Sequence, residues 1–282
     1  MSTAKFITLE GIEGAGKSTV AKFVADWLTR QGIAVRLTRE PGGTPLAERV
    51  RGIVLERGTE QVAAVTETLL MFAARALHVD NVIAPALRAG QWVVCDRFTD
   101  ATRAYQGSAR GVDATLIDTL ARAVHPQLAP DCTLLLDLPV AAGLSRARER
   151  GGGSADRFEA ETVSFFEKVR AGYLDLARRE PARMHLIDAT AALREVQQQG
   201  AGILTRLRRA GRAWHRPPRP RGSPHRCLRC ARRASRDECR MRCSFMRHPG
   251  PVATGSPPGA RRWCFVSAGI VRPAGSAAAV VA

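Results

Sequence analysis

The segment that most constrains this chain is Gly11-Ile-Glu-Gly-Ala-Gly-Lys17-Ser18, which directly follows the apolar run Phe6–Leu9. It matches the pattern G-x-x-x-x-G-K-[ST] in the context of strand, glycine loop and helix. Glycines let backbone N–H groups surround a polyphosphate, and the positive end of the next helix faces the same anion. The alternative is a glycine turn that binds nothing. The complete motif predicts a nucleotide-binding loop in which Lys17 contacts the β- and γ-phosphates and Ser18 offers a hydroxyl to Mg²⁺.

Strand-like and helical patterns alternate along the first 205 residues. Short apolar runs typical of strands are Phe6–Leu9, Ile33–Leu37, Trp92–Cys95, Cys132–Leu138 and Met184–Ile187. Helical spacing covers Lys17–Gln31, Pro45–Glu56, Val62–Ala89, Asp113–Val124, Val140–Arg150, Glu159–Glu180 and Ala191–Leu207. This alternation predicts an α/β fold with a five-stranded parallel sheet flanked by helices. Ligands of such sheets gather beyond the carboxyl ends of the strands.

The net charge of +17 is concentrated at one end of the chain. From Arg206 onward there are 18 arginines, no lysine and two acidic residues, so residues 1–205 carry a net charge of only +1. A nearly neutral body argues against a protein whose main domain binds nucleic acid. We therefore place the domain boundary near the start of this basic segment, with a domain at 1–207 and a tail at 208–282.

The tail is rich in Arg, Pro, Gly and Cys and has no sustained apolar period. Such a composition cannot easily bury a core, so we expect a disordered segment, or one derived from a shifted reading frame. The alternative is a zinc knuckle that binds nucleic acid. Its ligands would come from Cys227, Cys230, Cys239 and Cys243, with His225 and His248 nearby. The spacer between the two cysteine pairs contains almost nothing apolar to pack around a metal.

Three further features of the sequence indicate where in the cell the protein is expected. The apolar run before the phosphate loop is too short for a secretory signal, and no run approaches the ~20 apolar residues that span a bilayer. Cys95 and Cys132 lie in strand-like runs and are expected to be buried. We therefore expect a cytoplasmic protein with no membrane partner.

Arginines cluster after the predicted strands. Arg39 follows the second strand and Arg97 the third, and a further group lies near Arg150, before the glycine run Gly151–Gly153. Any single arginine is typical of solvated surface charge. Their coincidence at strand ends beside a phosphate loop favours an anion-binding edge.

Six separated motifs support a more specific interpretation. They are Glu10-Gly-Ile-Glu13-Gly-Ala-Gly-Lys-Ser, Thr38-Arg-Glu-Pro-Gly-Gly-Thr44, Leu70-Met-Phe72-Ala-Ala-Arg75, Cys95-Asp96-Arg97-Phe98, Ala104-Tyr105-Gln106-Gly107 and Asp156-Arg157-Phe158-Glu159. Together they resemble the bacterial form of thymidylate kinase over about residues 5–205. The tail has no counterpart in that family. The resemblance implies a nucleoside-monophosphate-kinase fold, and transfer of the γ-phosphoryl group of ATP to dTMP with Mg²⁺.

The resemblance also implies roles for individual residues. Phosphoryl transfer needs positioning and charge neutralisation, and two phosphates that repel each other need a ring of cations. Lys17, Arg97, Arg150 and Glu13 are the implied catalytic residues. Implied ATP contacts are Gly11, Ile12, Glu13, Gly14, Ala15, Gly16, Lys17, Ser18, Thr19, Arg146 and Arg148. Implied dTMP contacts are Arg39, Phe72, Arg75, Asp96, Arg97, Thr102, Tyr105 and Gln106. Ser18 and Asp96 are the implied Mg²⁺ ligands.

Base recognition falls to the long helical segment. Phe72 would stack on thymine and Arg75 would bond its O4, although many relatives place the aromatic residue where this chain has Met71. Phe72 is alternatively a core residue. Thr102 would contact the edge of the pyrimidine, and Tyr105, with Gln106 as its companion, would exclude a ribose 2′-OH. The phosphate loop has Ala15 rather than arginine, so a mobile lid at about 146–158 would supply the catalytic arginine, with Arg150 the first candidate and Arg157 also in that segment.

Competing hypotheses remain at this point. One is another P-loop kinase of a nucleoside or nucleoside monophosphate, and another is a P-loop NTPase that binds nucleic acid through its basic tail. The family also implies a helix-mediated homodimer.

Overall fold

Five parallel strands form the centre of the chain in the computed structural model, which describes residues 4–56, 60–149, 157–158 and 161–209. The strands are β1 Phe6–Glu10, β2 Val35–Arg39, β3 Trp92–Asp96, β4 Cys132–Asp137 and β5 Met184–Asp188. Their order in the sheet is β2-β3-β1-β4-β5, with every neighbouring pair parallel. The predicted five-stranded parallel sheet is thus confirmed. Every residue of the central strand β1 is buried.

Helices fill the connections between the strands. They are α1 Lys17–Arg30, α2 Pro45–Leu55, α3 Ala64–His78, α4 Ala84–Arg88, α5 Thr99–Thr102, α6 Ala114–Val124, α7 Val140–Glu149, α8 Val163–Arg179 and α9 Leu193–Arg209. A π-helical turn, Val79–Ile83, joins α3 to α4, and a second, Arg103–Ala109, continues α5. Because parallel crossovers are right-handed, α1 lies on the opposite face from the helices of the other connections, and α9 packs against it.

The helix patterns in the sequence were largely correct, although several bounds differ. The pattern Val62–Ala89 forms a helical stretch over Ala64–Arg88 in which a π-helical turn joins α3 to α4, and α8 begins at Val163 rather than at the predicted Glu159. The segment Thr99–Ala109 is helical although no helix was predicted there. Helix α9 runs to Arg209, two residues beyond the predicted domain boundary. Arg150, Gly151–Gly153 and the tail cysteines and histidines lie outside the described residues.

One described helical stretch, Ala64–Arg88, is long and apolar enough to cross a membrane by length and composition. The sequence analysis had found no such run. Three of its polar side chains, Glu67, Arg75 and His78, are at most 3% exposed and bond to residues of other elements. Because these side chains need polar partners from the rest of the fold, the stretch is part of the folded core.

Candidate active site

The phosphate loop has the conformation that its glycines predict. Gly11, Gly14 and Gly16 all have positive φ, at 141°, 74° and 84°, which side chains with a Cβ rarely adopt. Helix α1 begins directly after Gly16 without a side-chain cap, so its first N–H groups face the loop. The Nζ of Lys17 donates to the carbonyl of Ile12 at 2.8 Å. The loop and the helix end thus form an anion-binding cradle.

Lys17 is buried, with 7% of its surface exposed. Burial, and next the positive charge of Arg97, lower the pKa of Lys17, while the carboxylates of Glu13, Asp96 and Glu10 oppose this effect. The side chains of Lys17 and Arg97 therefore lie close enough for the charge of Arg97 to affect Lys17. Within the same loop Ile12 and Ala15 are buried, whereas Ser18 and Thr19 are exposed.

Two predicted metal ligands meet at the edge of the sheet. The Ser18 hydroxyl donates to Oδ2 of Asp96 at 2.7 Å. Asp96 ends β3, and its Cα is in register with Leu9 on one side and Arg39 on the other. A hydroxyl and a carboxylate beside a phosphate cradle are the oxygen ligands that Mg²⁺ takes in nucleotide sites. Among the described residues there is no cluster of three or more His, Cys, Asp or Glu side chains that would hold a metal alone.

Arg97 is the centre of a partly buried polar network. It is the one described non-glycine residue with positive φ, at 71°. Its guanidinium contacts the carboxylate of Glu13, donates to the Tyr105 hydroxyl at 3.1 Å and lies 3.4 Å from the Tyr173 hydroxyl. The Tyr105 ring also lies 4.8 Å below the guanidinium carbon. These contacts bring three predicted site residues together at the end of β3.

The same network contains Glu10, a residue for which the sequence analysis predicted no role. Its carboxyl is fully buried at the end of β1, accepts from the Phe98 backbone N–H at 2.8 Å and accepts from the Tyr173 hydroxyl at 2.8 Å. Burial, and next the negative charge of Asp100, raise the pKa of Glu10 to about 8, although Arg97 opposes the shift. Tyr173 likewise was not predicted. Tyr173 lies in α8, and no motif near it in the sequence marks it as a site residue.

Arg75 is held in place by a buried carboxylate. Its Nε donates to Oε2 of Glu40 at 2.7 Å, and its Nη2 donates to the Phe98 carbonyl at 3.2 Å and to the Thr102 hydroxyl at 3.1 Å. Burial alone would raise the pKa of Glu40, but Arg75 and His78 outweigh it and the pKa is lowered. The remaining nitrogen, Nη1, is buried and has no hydrogen-bond partner among the described residues. A buried donor without a protein partner is available to water or to an acceptor atom of a ligand.

Other residues predicted to bind dTMP lie on α3 and on the helical segment Thr99–Ala109. Thr102 and Gln106 are buried, and Nε2 of Gln106 donates to Oε1 of Glu67 at 2.6 Å. Phe72 is 2% exposed, and its ring lies 4.7 Å from the Arg75 guanidinium carbon. It packs with Val112, Ile117 and Ala121. This is the core placement that the sequence left open, whereas Met71 is only partly buried.

Three predicted arginines lie apart from this network. Arg39 is 53% exposed and pairs with Glu48 at 2.9 Å. Arg146 donates to the carbonyl of Ala189 at 2.8 Å, in the loop after β5, and Arg148 is exposed on α7. The first candidate for the catalytic arginine, Arg150, lies outside the described residues.

Arg157 has a different environment from Arg146 and Arg148. Its guanidinium contacts the buried carboxylate of Glu67, its Nε donates to the Val54 carbonyl at 3.0 Å, and its backbone N–H donates to the Leu55 carbonyl at 3.2 Å. These contacts anchor Arg157 to α2 and α3.

Comparisons with known proteins agree with this geometry. The family model described as thymidylate kinase matches residues 9–199. The chain is 56% identical over 195 residues to a thymidylate kinase of Pseudomonas syringae pv. syringae (strain B728a), covering 69% of this chain and 92% of that protein. It is 51% identical over 210 residues to a thymidylate kinase of Alkalilimnicola ehrlichii (strain ATCC BAA-1101 / DSM 17681 / MLHE-1), covering 73% and 96%. The crystal structure of thymidylate kinase from Ehrlichia chaffeensis is similar at a TM-score of 0.58 and 33% identity, over 72% of this chain and 99% of that one.

Proposed function

The chain belongs to the thymidylate kinase family and is a nucleoside monophosphate kinase that phosphorylates dTMP with ATP; we propose that the residues of this cleft divide the work as follows. The phosphate loop and Lys17 bind the β- and γ-phosphates of ATP, and Arg97 binds the phosphate of dTMP. The observation that carries this assignment is the contact between the Arg97 guanidinium and Glu13 of the phosphate loop, which brings Arg97 beside the loop that holds Lys17. The charge of Arg97 also lowers the pKa of Lys17. Two phosphates that repel each other can approach there because both charges are neutralised.

Glu13 and Tyr105 orient Arg97 from two sides. The carboxylate of Glu13 holds one nitrogen, and the Tyr105 ring lies against the guanidinium face. A guanidinium fixed in this way can form two parallel hydrogen bonds to a phosphate without losing further side-chain freedom. We propose that the Tyr105 ring would lie beside the sugar of dTMP and favour a 2′-deoxyribose by leaving no room for a 2′-OH. Arg39 would join the dTMP phosphate by exchanging its exposed pair with Glu48, a pair of the kind that contributes only about 0–1 kcal/mol.

We propose that Ser18 and Asp96 hold Mg²⁺. Their oxygens lie 2.7 Å apart beside the phosphate cradle, and both are ligand types that Mg²⁺ accepts together with phosphate oxygens. When bound, the ion would neutralise charge on the ATP phosphates. The chain's own contribution is to keep the Asp96 carboxylate at the end of β3, next to Arg97.

The base site lies between α3 and the helical segment at 99–109. Nη1 of Arg75 is a donor without a partner in the described part of the chain, and it suits the O4 of thymine. Thr102 fixes the other terminal nitrogen of the same guanidinium. Gln106 would contact the adjoining edge of the base, and Met71 offers partly exposed surface for packing on it. Phe72 supports Arg75 from the core side.

The lid and the domain boundary complete the proposal. Arg146 and Arg148 would contact ATP from α7, and Arg150 would stabilise the transferred phosphoryl group. We propose that residues 1–209 carry the whole activity, since the matched region spans 92% or more of the two curated relatives. The enzyme would act in the cytoplasm, and the buried free thiols of Cys95 and Cys132 are typical of a reducing compartment.

An exposed apolar surface on α2 and α3 supports a homodimer. Leu46 and Ile53 on α2, and Val65 and Leu69 on α3, are each at least 47% exposed, and the two helices pack side by side. We propose that a second copy of the chain covers this surface, because an exposed apolar patch of this kind is typical of an interface. Leu69→Glu should convert the dimer to a monomer in light scattering, whereas Leu193→Glu, on the exposed part of α9, should not.

A coupled assay of ADP release tests the proposed function directly. ATP is supplied with dTMP, dUMP, dCMP, dGMP or thymidine, and dTMP should give the highest kcat/KM. Preference for thymidine would indicate a nucleoside kinase instead. Preference for dGMP or dCMP would contradict the proposed use of Arg75.

A further inference from the structure

Glu67 is a fully buried carboxylate on α3 to which the proposed function gives no task. Three donors from distant parts of the chain converge on it. Gln106 Nε2 donates at 2.6 Å and Arg110 Nε at 3.0 Å, and the Arg157 guanidinium contacts the second oxygen. A buried carboxylate with two guanidinium partners is a costly arrangement that needs a reason.

The position of Glu67 relative to the base site suggests that reason. Glu67, Met71 and Arg75 are four residues apart on α3 and so share one face of the helix. Thr102 and Gln106, also four apart, lie on the facing helical segment. Arg75 bonds Thr102 and Glu67 bonds Gln106, so two hydrogen-bonded pairs join this face of α3 to the facing segment.

The Glu67 carboxylate fixes which way the Gln106 amide faces. An amide has two donor hydrogens on nitrogen and an acceptor oxygen, and it can present either after a rotation of its terminal bond. An ionised carboxylate only accepts, so the nitrogen must face Glu67. The oxygen Oε1 is thereby presented on the other side, and none of the described residues donates to it. Gln106 therefore offers an acceptor.

Thymine and cytosine differ at the atoms that this acceptor would meet. Thymine has an N3–H donor next to the O4 acceptor, whereas cytosine has an N3 acceptor next to an amino donor. Arg75 is a donor only, and a fixed Gln106 is an acceptor. Arg75 and Gln106 together complement thymine. Cytosine would place its amino donor against the Arg75 donor and its N3 acceptor against the Gln106 acceptor, so neither hydrogen bond could form. A site that leaves buried polar groups unpaired discriminates strongly.

We propose that Glu67 is a positioning residue for base selection, which excludes dCMP by locking the Gln106 amide with its oxygen toward N3 of the base. The proposal rests on the proposed function, in which Arg75 and Gln106 hold the base edge. Arg110 and Arg157 pair with the carboxylate and hold it in place. Arg157 belongs to the predicted lid segment, so the Glu67 carboxylate contacts both Gln106 and a residue of that segment.

Glu67→Gln provides the central test. The new amide can donate to Gln106 Oε1 as well as accept from its nitrogen, so Gln106 becomes free to turn. The ratio of kcat/KM for dTMP to that for dCMP should fall by about tenfold, which is the effect of one hydrogen bond. Arg75 still opposes the cytosine amino group, so dTMP should stay the better substrate. The ratio of dTMP to dUMP should not change, because uracil presents the same N3–H and O4.

Glu161→Gln is the matched control. Glu161 pairs with the same Arg110 at 2.7 Å, and within the described part of the chain it makes no hydrogen bond to Gln106. This variant should leave both ratios unchanged. Ratios are compared rather than rates because a loss of folded enzyme cancels between two substrates. A fall in the dTMP-to-dUMP ratio, or an equal effect of Glu161→Gln, would overturn the proposal.

A double-mutant cycle tests whether the effect passes through Gln106. Gln106→Met removes the amide but keeps a side chain of similar length, and in that background Glu67→Gln should no longer change the dTMP-to-dCMP ratio. An undiminished effect would contradict the proposal.

If Glu67→Gln fails to fold, side-chain NMR of the dTMP complex decides. The Gln106 amide protons, assigned by their absence in Gln106→Met, should exchange slowly with solvent. Rapid exchange would refute the lock. A wild-type enzyme without activity on dTMP would instead overturn the proposed function itself.

Discussion

Gly14 of the phosphate loop and Gly143 of α7 approach so closely that neither position has room for a side chain. A Cβ on Gly14 would lie 1.8 Å from the carbonyl oxygen of Gly143. A Cβ on Gly143 would lie 2.6 Å from the carbonyl oxygen of Glu13. Helix α7, which carries Arg146 and Arg148, therefore packs directly on the backbone of the loop that binds ATP phosphates. The packing of these two glycines fixes the start of the lid relative to the phosphate loop.

Gly143→Ala should disturb catalysis without unfolding the protein. Because the added methyl group meets backbone rather than a flexible side chain, the loop or α7 must shift by a fraction of an ångström. Misplacement on that scale lowers kcat/KM for ATP by roughly tenfold to hundredfold. Steady-state kinetics at varied ATP measure this, and kcat/KM for dTMP at saturating ATP should change less. Gly52→Ala on α2, where nothing lies within 4 Å of the new methyl group, is the control. Equal kinetics for the two variants would contradict the expectation.

The contact between Ser18 and Asp96 leads to a second expectation. Asp96→Asn keeps a side chain that can accept from Ser18 but removes the charge that attracts a cation. The Mg²⁺ concentration for half-maximal activity should rise by at least about tenfold, and kcat should fall as well. Activity is titrated with Mg²⁺ at fixed ATP. Asp188→Asn, at the carboxyl end of β5, removes an exposed carboxylate at the same edge of the sheet and should leave the titration unchanged.

Glu10 makes the stability of the fold depend on pH. The pKa of Glu10 is about 8 in the folded chain, against an ordinary value of 4.5. Between pH 4.5 and pH 8, Glu10 is therefore protonated in the folded chain and ionised in the unfolded chain. Its contribution to the free energy of unfolding is therefore complete below pH 4.5 and is lost as the pH rises through 8. The slope is at most about 1.4 kcal/mol per pH unit.

Glu10→Gln should remove that dependence, since glutamine mimics the protonated acid and can keep both hydrogen bonds. The groups facing Glu10 are the Phe98 N–H, the Tyr173 hydroxyl, Arg97 and Asp100, and all of them remain. Urea unfolding at pH 5, 6, 7 and 8 measures the difference. The wild type should lose stability relative to the variant as the pH rises. Parallel curves would refute this, and Glu195→Gln on the exposed side of α9 should run parallel to the wild type.

The sequence predicted the sheet and the phosphate loop because their signals are local. Five apolar runs and one glycine motif each lie within ten residues, and the structure has strands and a loop at those places. The helical segment Thr99–Ala109 was missed because its alternation of threonine, alanine and polar residues gives no apolar period, and seven of its residues form a π-helical turn. Its helical form comes from packing against α8 and α3.

The missed site residues depend on contacts between distant parts of the chain. Glu67 meets Gln106, Arg110 and Arg157, which are 39, 43 and 90 residues away. Glu10 meets Tyr173 at a separation of 163 residues. No local pattern distinguishes such a carboxylate from one on a solvated helix face. The family resemblance identified the residues proposed to touch substrate, whereas the residues that orient them became visible only in the fold.

The two ends of the predicted lid should respond differently to loss of an arginine. Arg150→Ala should lower kcat by roughly 10²-fold or more with no change in the free energy of unfolding, because a catalytic arginine acts on the transition state. Arg157→Ala should instead lower the free energy of unfolding by about 1–3 kcal/mol, since Arg110 is then the one charged partner of Glu67 among the described residues. Its kcat, corrected for folded enzyme, should change several-fold at most. Single-turnover kinetics and urea unfolding of both variants separate these effects. A loss of 10² in kcat for Arg157→Ala with unchanged stability would show that Arg157 leaves its anchor and reaches the phosphates during turnover.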